Sequence, residues 1–579
     1  MGRKRLPRGW LSAVLAFMIF AGLAAVPFAL HSNSTPPWVR SALGTSPVPI
    51  STTQPQNVLP GVHLSSVASP VDPSLAPAGP PSGDLSREAS LVAGEDLRLR
   101  TLLHHLSRLS YPIVVPVGAE YDVAAGVTRA GTPTLVLPGP ATYTIDDLLA
   151  NQAVIPLSQG GYMLEDNVLV GSGATLKLSS AEVPILLMDS SDSGFTSLVT
   201  WGGTISLSGT GEGNPLIIEG WNKIANAPAV DHGYGRPYIR AVGGELDLKF
   251  VRASYLGFWS GRTGGVAWTG ISSHASTGSA VSSRFMYNAY GAFVSRAQAV
   301  KFSDDLFEGN MLDGLRLHRL AVGSVVDHSA AARNAGNGFV VSRGATGNLL
   351  QDDLSVNNAG NGFLLDGLAL VHGASPSGDK AVASQGTIIE LSDAEANART
   401  GILVEGGTGT IVRNNIVCGP ITGIAVRVGA DQTYIVGNDV RCAGRVALSV
   451  GPSVTATTIN ANTFSGARIG VVIRNAPGVR IFDNRINDVS VFGISVRGNS
   501  PGVVGNSNTI AGRGFQPIDT RGGASTPTFQ DTNLTGWQHR SSLNFVESLR
   551  YHPLLTAWVV ILLLVGLFWI ISRLRRRPA

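Results

Sequence analysis

One histidine lies between two arginines in the stretch DGLRLHRLAVGSVV, Asp313 to Val326, of a 579-residue chain: Arg316 and Arg319 flank His318. Arg296, Arg319 and Arg343 recur at nearly equal intervals along the chain. Guanidinium groups recurring in this way repel one another if the chain brings them together, which is easiest to explain if an anion sits among them; carboxylates of the chain itself are the alternative partners. The first chemistry the residues point to is therefore anion binding around an imidazole. A second set, Asp304, His328 and Asp352, also advances in equal steps, with Asp305 and Asp353 beside two of its members. Paired carboxylates could serve an acid/base hydrolase. The same residues, in FSDDLF, VVDHSA and LQDDLS, also suit turns, and the turn reading is preferred.

A repeat must position these side chains. A glycine followed by apolar alternation recurs at Gly291, Gly314, Gly338, Gly362, Gly401, Gly423, Gly470 and Gly493, in steps of 23, 24, 24, 39, 22, 47 and 23. A weaker copy near Arg445 lies inside the longest step. An asparagine precedes the glycine by four residues at Asn310, Asn334, Asn358 and Asn397, and a second series runs Asn415, Asn438, Asn462 and Asn484. A unit this short, built of strands, cannot bury a core alone, so successive coils must stack. Asparagines at equivalent turns then bond from coil to coil. The expected fold is all-β, a single-stranded right-handed parallel β-helix over residues 112–530; the leucine and asparagine signature of a leucine-rich repeat is absent. The longer step from Gly362 to Gly401 hides an insertion near His372 to Gly386, expected to project beside the strand ends and shape a site.

Aligning the copies on their glycines gives columns. The first and third residues after the glycine point inward: Leu315 and Leu317, Phe339 and Val341, Phe363 and Leu365. The second and fourth should face solvent. The fourth column reads Ser295, His318, Ser342, Asp366, Glu405 and Arg427, with Arg474 and Arg497 further on. The fifth holds Arg296, Arg319 and Arg343; burying these without partners is too costly, so the chain should bend there and turn them outward. Cys418 and Cys442 fall one coil apart, compatible with a disulfide or with stacked free thiols.

The ends differ in kind from the body. Residues 1–30 carry a basic start and an uncharged run from Gly9 to Leu30, a signal peptide or a signal anchor. A Pro/Ser-rich linker follows over 31–85. Helix formers occupy 86–111, where His104 and His105 read as surface or packing residues. Leu554 to Ser572 is uncharged and long enough for a spanning helix, and the basic tail 573–579 fixes a cytoplasmic C-terminus with the body outside. Arg3, Lys4, Arg5, Arg8, Arg573, Arg575, Arg576 and Arg577 contribute eight charges; subtracting them from the net +4 leaves the body near −4, which argues against a nucleic-acid partner. No compact carboxylate cluster requires a metal, and no cofactor is expected.

The region from Gly235 to Gly367 resembles the periplasmic, calcium-independent alginate (mannuronan) C5-epimerases. The likeness is carried by YGAFVSRAQAVKFSDDLFEGNMLDGLRLHR, Tyr290 to Arg319, and by GFVVSRG, Gly338 to Gly344. The resemblance implies a parallel β-helix, with His318 in the place of the family's proposed base and Arg343 in that of the arginine neutralising the sugar carboxylate. The family's Asp-Pro-His-Asp motif reads Arg-Leu-His-Arg here. The implied chemistry is removal of a uronate C5 proton once the adjacent carboxylate is neutralised. Flanking arginines keep the imidazole unprotonated and able to act as base. Arg296, Arg316, Arg319, Ser342 and Asp366 complete the substrate-binding set, and Tyr290 is the candidate proton donor. A proton returned to the opposite face gives an epimerase; expulsion of the C4 oxygen gives a lyase. The implied partners are an anionic polysaccharide (a polyuronate), the membrane and proteins of exopolysaccharide synthesis or export. The replaced acids leave a second reading, a non-catalytic polysaccharide-binding or scaffold protein, and Asp304 with Asp352 a third, a glycoside hydrolase.

Overall fold

The computed structural model describes residues 85–106, 109–115, 132–158, 160–191, 194–369, 382–419, 421–523, 525–540 and 553–574. The expected signal or anchor, the linker and most of the insertion after Asp366 lie outside these residues. The chain divides into two units, one of Pro49–Gly512 with Gln516–Trp537, the other of Met1–Val48, Arg513–Phe515 and Gln538–Ala579.

Among the described residues the strands form three sheets, of 16, 15 and 18 strands. Pairing is parallel from one coil to the next: Leu315 pairs with Phe339, Phe339 with Phe363, and Phe363 with Ile402. The strands are short because each coil must turn three times, and one residue at many of the turns adopts a left-handed conformation. The inward residues named above join one continuous core. Within it like stacks on like, Phe285 on Phe307 with ring centroids 5.1 Å apart and Phe339 on Phe363 at 5.2 Å. Each such buried side chain contributes roughly 1.5–3 kcal/mol.

Both asparagine series are ladders. Asn310 Nδ2 donates to Asn334 Oδ1 at 2.8 Å, Asn334 to Asn358 at 2.8 Å and Asn358 to Asn397 at 2.9 Å. The second runs from Asn415 through Asn438, Asn462 and Asn484 to Asn508. Each amide supplies both the donor and the acceptor that a buried turn would otherwise lack. Cys418 and Cys442 form a disulfide across adjacent coils, with Cα atoms 5.2 Å apart.

The first sheet has a cover at its N-terminal end. Helix α1, Leu85–Leu106, sets Leu91, Val92, Leu99 and Leu102 on Val136, Leu169, Val199 and Val242, the outward residues of the early strands. Polar bonds anchor it: Arg98 donates to Thr134 at 2.9 Å and to Ser197 at 2.8 Å, while Glu95 accepts from the Tyr238 hydroxyl at 2.6 Å. Its core contacts extend to Phe258, and the coil carrying His318 comes later in the stack.

The second unit contains a helix over Pro553–Leu574. Its side chains are described only from 557 to 569, and within the described residues no helix is long and apolar enough to cross a membrane.

Candidate functional site

The column expected from glycine spacing is the column the sheet forms. Ser295 pairs with His318, His318 with Ser342, Ser342 with Asp366, Asp366 with Glu405 and Glu405 with Arg427. Coil spacing sets neighbours about 4.8 Å apart along the stack. Arg296, Arg319 and Arg343 follow at left-handed positions, with φ of 48°, 26° and 54°. The chain bends there, as their burial cost requires.

The face is not as open as strict alternation predicts. Phe293, Val340 and Leu403, all outward by register, are 7%, 1% and 4% exposed, and Ser342 is 1% exposed. Part of the cover is the 3-10 turn Gly261–Thr263. A Cβ on Gly261 would come within 2.2 Å of the Phe293 ring, and one on Gly264 within 2.6 Å of Tyr290, so this approach requires glycine. Arg236, 2% exposed, helps fix the approach to this turn by donating to the carbonyls of Gly257 at 2.8 Å, Leu256 at 3.1 Å and Tyr287 at 3.2 Å.

His318 sits at the centre. Its Nδ1 lies 2.8 Å from Ser342 Oγ, and its ring tilts against Phe293 with centroids 5.6 Å apart. Burial, then the charges of Arg316, Arg319 and Arg343, push its pKa down to about 3. The imidazole is therefore neutral across the physiological range. Tyr290 packs on the same Phe293 at 5.6 Å, and the Arg316 guanidinium lies 5.6 Å from its ring centre. Burial raises the Tyr290 hydroxyl, with Arg316 opposing and Asp313 adding.

The arginines have different partners. Arg316 Nε donates to Asp313 at 2.8 Å; burial works against the charge on that guanidinium, but Asp313, with Tyr290 and Asp366, more than offsets it. Arg343 Nε pairs with Asp366 at 3.0 Å, and its Nη1 reaches the carbonyl of Ala369, where the insertion begins, at 3.5 Å. Arg296 Nη1 reaches Ser272 at 3.5 Å. Arg319 Nε is buried with no hydrogen-bond partner among the described residues. The structure thus brings together His318, Ser342, Arg343, Asp366, Arg316 and Tyr290, with Arg319 beside them. Ser342, expected in the substrate-binding set, contacts the histidine. Asp313 was missed, although its i,i+3 spacing to Arg316 was a usable signal. Arg262, which pairs with Asp96 of α1 and feels the charge of Arg319, could not be found from spacing, since 166 residues separate it from its partner.

On the adjoining face Asp304, His328 and Asp352 occupy left-handed turn positions, with φ of 59°, 50° and 51°. His328 Nδ1 lies 2.9 Å from Asp327, and its Nε2 lies 3.9 Å from Asp352. Asp327, His328 and Asp352 are the described residues spaced so that they could hold a metal ion, a group that spacing along the chain did not reveal. Asp327 Oδ1 already accepts from Gln351 Nε2 at 2.7 Å, and the bond to Asp327, helped by the charges of Asp327, Asp352 and Asp304, raises the His328 pKa against burial.

Residues 269–440 match the family described as right handed beta helix region, and residues 373–512 match that described as periplasmic copper-binding protein (NosD). Copper does not fit the second stretch: it has no histidine or methionine, and both of its cysteines are in the disulfide. No curated protein matches the chain in sequence. Among solved structures, a mutant of the periplasmic alginate epimerase AlgG is 14% identical, with TM-score 0.52 over 73% of this chain and 93% of that one. The A-module of an Azotobacter vinelandii mannuronan C-5 epimerase is 16% identical, with TM-score 0.34 over 67% and 92%. The catalytic domain of an α-1,3-glucanase in complex with nigerose is 10% identical, with TM-score 0.32 over 65% and 64%. At these identities the likeness is one of fold: the chain is a right-handed parallel β-helix similar in architecture to the periplasmic epimerase.

Proposed function

We propose that this chain is a membrane-anchored, extracytoplasmic β-helix that acts on an anionic polysaccharide, a polyuronate, as a C5-epimerase-like isomerase in exopolysaccharide assembly. The observation that carries the reading is His318: an imidazole kept neutral by burial and by Arg316, Arg319 and Arg343, with Nδ1 directed at Ser342. If Nδ1–H donates to Ser342, Nε2 presents its lone pair outward. That nitrogen takes the C5 proton while Arg343, with Arg316 and Arg319, holds the sugar carboxylate and the charge that develops on it. Tyr290 lines the pocket beside Phe293. The step uses no metal and no cofactor.

The fold likeness to a periplasmic alginate epimerase supports the substrate class, and the Cys418–Cys442 disulfide fits an oxidising compartment. The uncharged run Leu554 to Ser572 with the arginines after it supports the anchor.

A specific observation favours a second reading, a non-catalytic polysaccharide-binding or scaffold protein of a secretion complex. Arg316 and Arg343 are already paired within the chain, with Asp313 and Asp366. Full-length protein in detergent, incubated with polymannuronate and other polyuronates in D2O, separates the two. Deuterium at C5 without cleavage, lost in His318→Ala, is the expected result; a 4,5-unsaturated end would make it a lyase. Binding with neither outcome would move the assignment to the second reading, and new reducing ends lost in Asp352→Ala would move it to a hydrolase.

A further inference from the structure

An epimerase needs an acid as well as a base, and, resting on the function proposed above, the same column supplies one. His318, Ser342 and Asp366 occupy consecutive coils in register on one face. Base and carboxyl therefore stand two coil spacings apart, roughly 9.6 Å. Between them lies Ser342, 1% exposed and in contact with the imidazole, and Arg343 flanks it through its pair with Asp366. A pyranose ring seated over Ser342 would have the imidazole on one side and the carboxyl on the other.

We propose that Asp366 yields Arg343 to the incoming sugar carboxylate, takes a proton from solvent, and delivers that proton to C5 on the face opposite His318. Two carboxylates beside one guanidinium cannot both stay ionised at little cost. Asp366 is the one placed to protonate, because its Oδ1 is buried with no hydrogen-bond partner among the described residues. Burial and the neighbouring Glu405 already raise its pKa, against the pull of Arg343 and, more weakly, Arg316. These, with His318 two coils away, are the described charged and titratable groups that face it; Glu405 is itself paired with Arg427 at 2.6 Å. The proton balance closes. The C5–H bond breaks, its proton goes to His318 Nε2, and the electron pair delocalises into the carboxylate held by Arg343. The Asp366 O–H bond then breaks and a new C5–H bond forms with inverted configuration. His318 sheds its proton to water and Asp366 regains one on the next exchange.

Binding of oligomannuronate to the full-length protein, measured by calorimetry at pH 7 in phosphate and in Tris, reads the first step. We expect uptake of about one proton per occupied site in the wild type and none in Asp366→Asn. Zero uptake in the wild type with binding intact, or equal uptake in both proteins, overturns the proposal and leaves the proposed function standing. The second step is read in D2O: Asp366→Asn should keep deuterium exchange at C5 yet lose inversion at least ~10-fold, with Asp366→Glu restoring part of it. Parallel loss of exchange and inversion, or unchanged inversion, also overturns it. A wild type that neither binds nor exchanges would remove the functional reading itself.

Discussion

One line of turn residues runs from Ser283 to Asn508 and changes character along it. In the later coils it is asparagine throughout, from Asn415 to Asn508, and the Nδ2 of each from Asn415 to Asn484 donates both to the next Oδ1, at 2.9–3.0 Å, and to a backbone carbonyl. In the earlier coils the same line reads Ser283, Asp305, Ser329, Asp353 and Ser392, joined only by backbone N–H groups donating to the next side chain, at 2.8–3.2 Å. Asp305 and Asp353 are fully buried, and burial above all lifts both carboxyls well above the ordinary range. The first sheet changes in the same coils, from Arg427, Arg474 and Arg497 in the later ones to His318, Ser342 and Asp366 in the earlier. The difference teaches that the coil needs a small polar acceptor at each turn but not a particular one. Regular chemistry marks the coils that only build; irregular chemistry marks those whose outer face could do something else.

Four substitutions or measurements would break or sharpen that contrast. The largest effect belongs to the irregular coils: His318→Ala should lower C5 deuterium exchange by about 10³-fold, the ordinary contribution of a general base, with little change in the urea midpoint. In the regular coils the effect should be on stability. Asn438→Ala leaves Asn415 N and Nδ2 without their acceptor, at a cost of about 2 kcal/mol in urea unfolding and none in exchange rate per folded molecule.

Making the irregular line regular should help. Asp353 Oδ2 is buried without a hydrogen bond, where Asn415 in the corresponding place donates to Ile389 O at 3.0 Å. Asp353→Asn should therefore stabilise by about 1 kcal/mol at pH 7. The sign follows from the raised carboxyl: the folded state keeps its proton after the unfolded state has lost it, so wild-type stability falls as pH rises above the unfolded value near 3.8. The gain from asparagine should grow between pH 4 and pH 8 in the same assay; a loss at both pH values would show that the acid is tolerated for a reason other than its proton.

The smallest effect near neutral pH, under about 1 kcal/mol between pH 7 and pH 6, is the titration of His318. The unfolded imidazole binds a proton below about 6.5 and the folded one only near 3, so stability falls as pH drops through that window. His318→Gln should flatten this slope. The rate of C5 exchange should likewise show no acid limb near pH 6.5; a limb there would mean that the base is not the buried imidazole.

Much of the fold was legible because a stack converts sequence interval into spatial neighbourhood. Nearly constant steps, measured from glycine to glycine, named the partners of His318 correctly in both directions. Both ladders followed from the same counting. The insertion after Asp366 did not disturb it, since the longer step still ends in register with Glu405. The second-position residues were less legible. Alternation assigns Phe293, Val340 and Leu403 to solvent, yet they are buried, because a sheet face is open or closed according to what lies on it. Gly264 precedes the Tyr290 ring by one coil and Gly261 the Phe293 ring by more than one, without any repeat to link them.

The sequence by itself determined the coil period, the inward core, the two asparagine ladders and the membership of each column, because all four depend on spacing along one chain. Tertiary structure alone decided which charge met which. Arg316 took Asp313 from its own coil, Arg343 took Asp366 from the next, and Arg319 was left with a buried Nε. It also decided that Ser342 would meet the imidazole. Those choices turn on side-chain reach and burial at a few ångströms, and spacing along the chain does not carry that information.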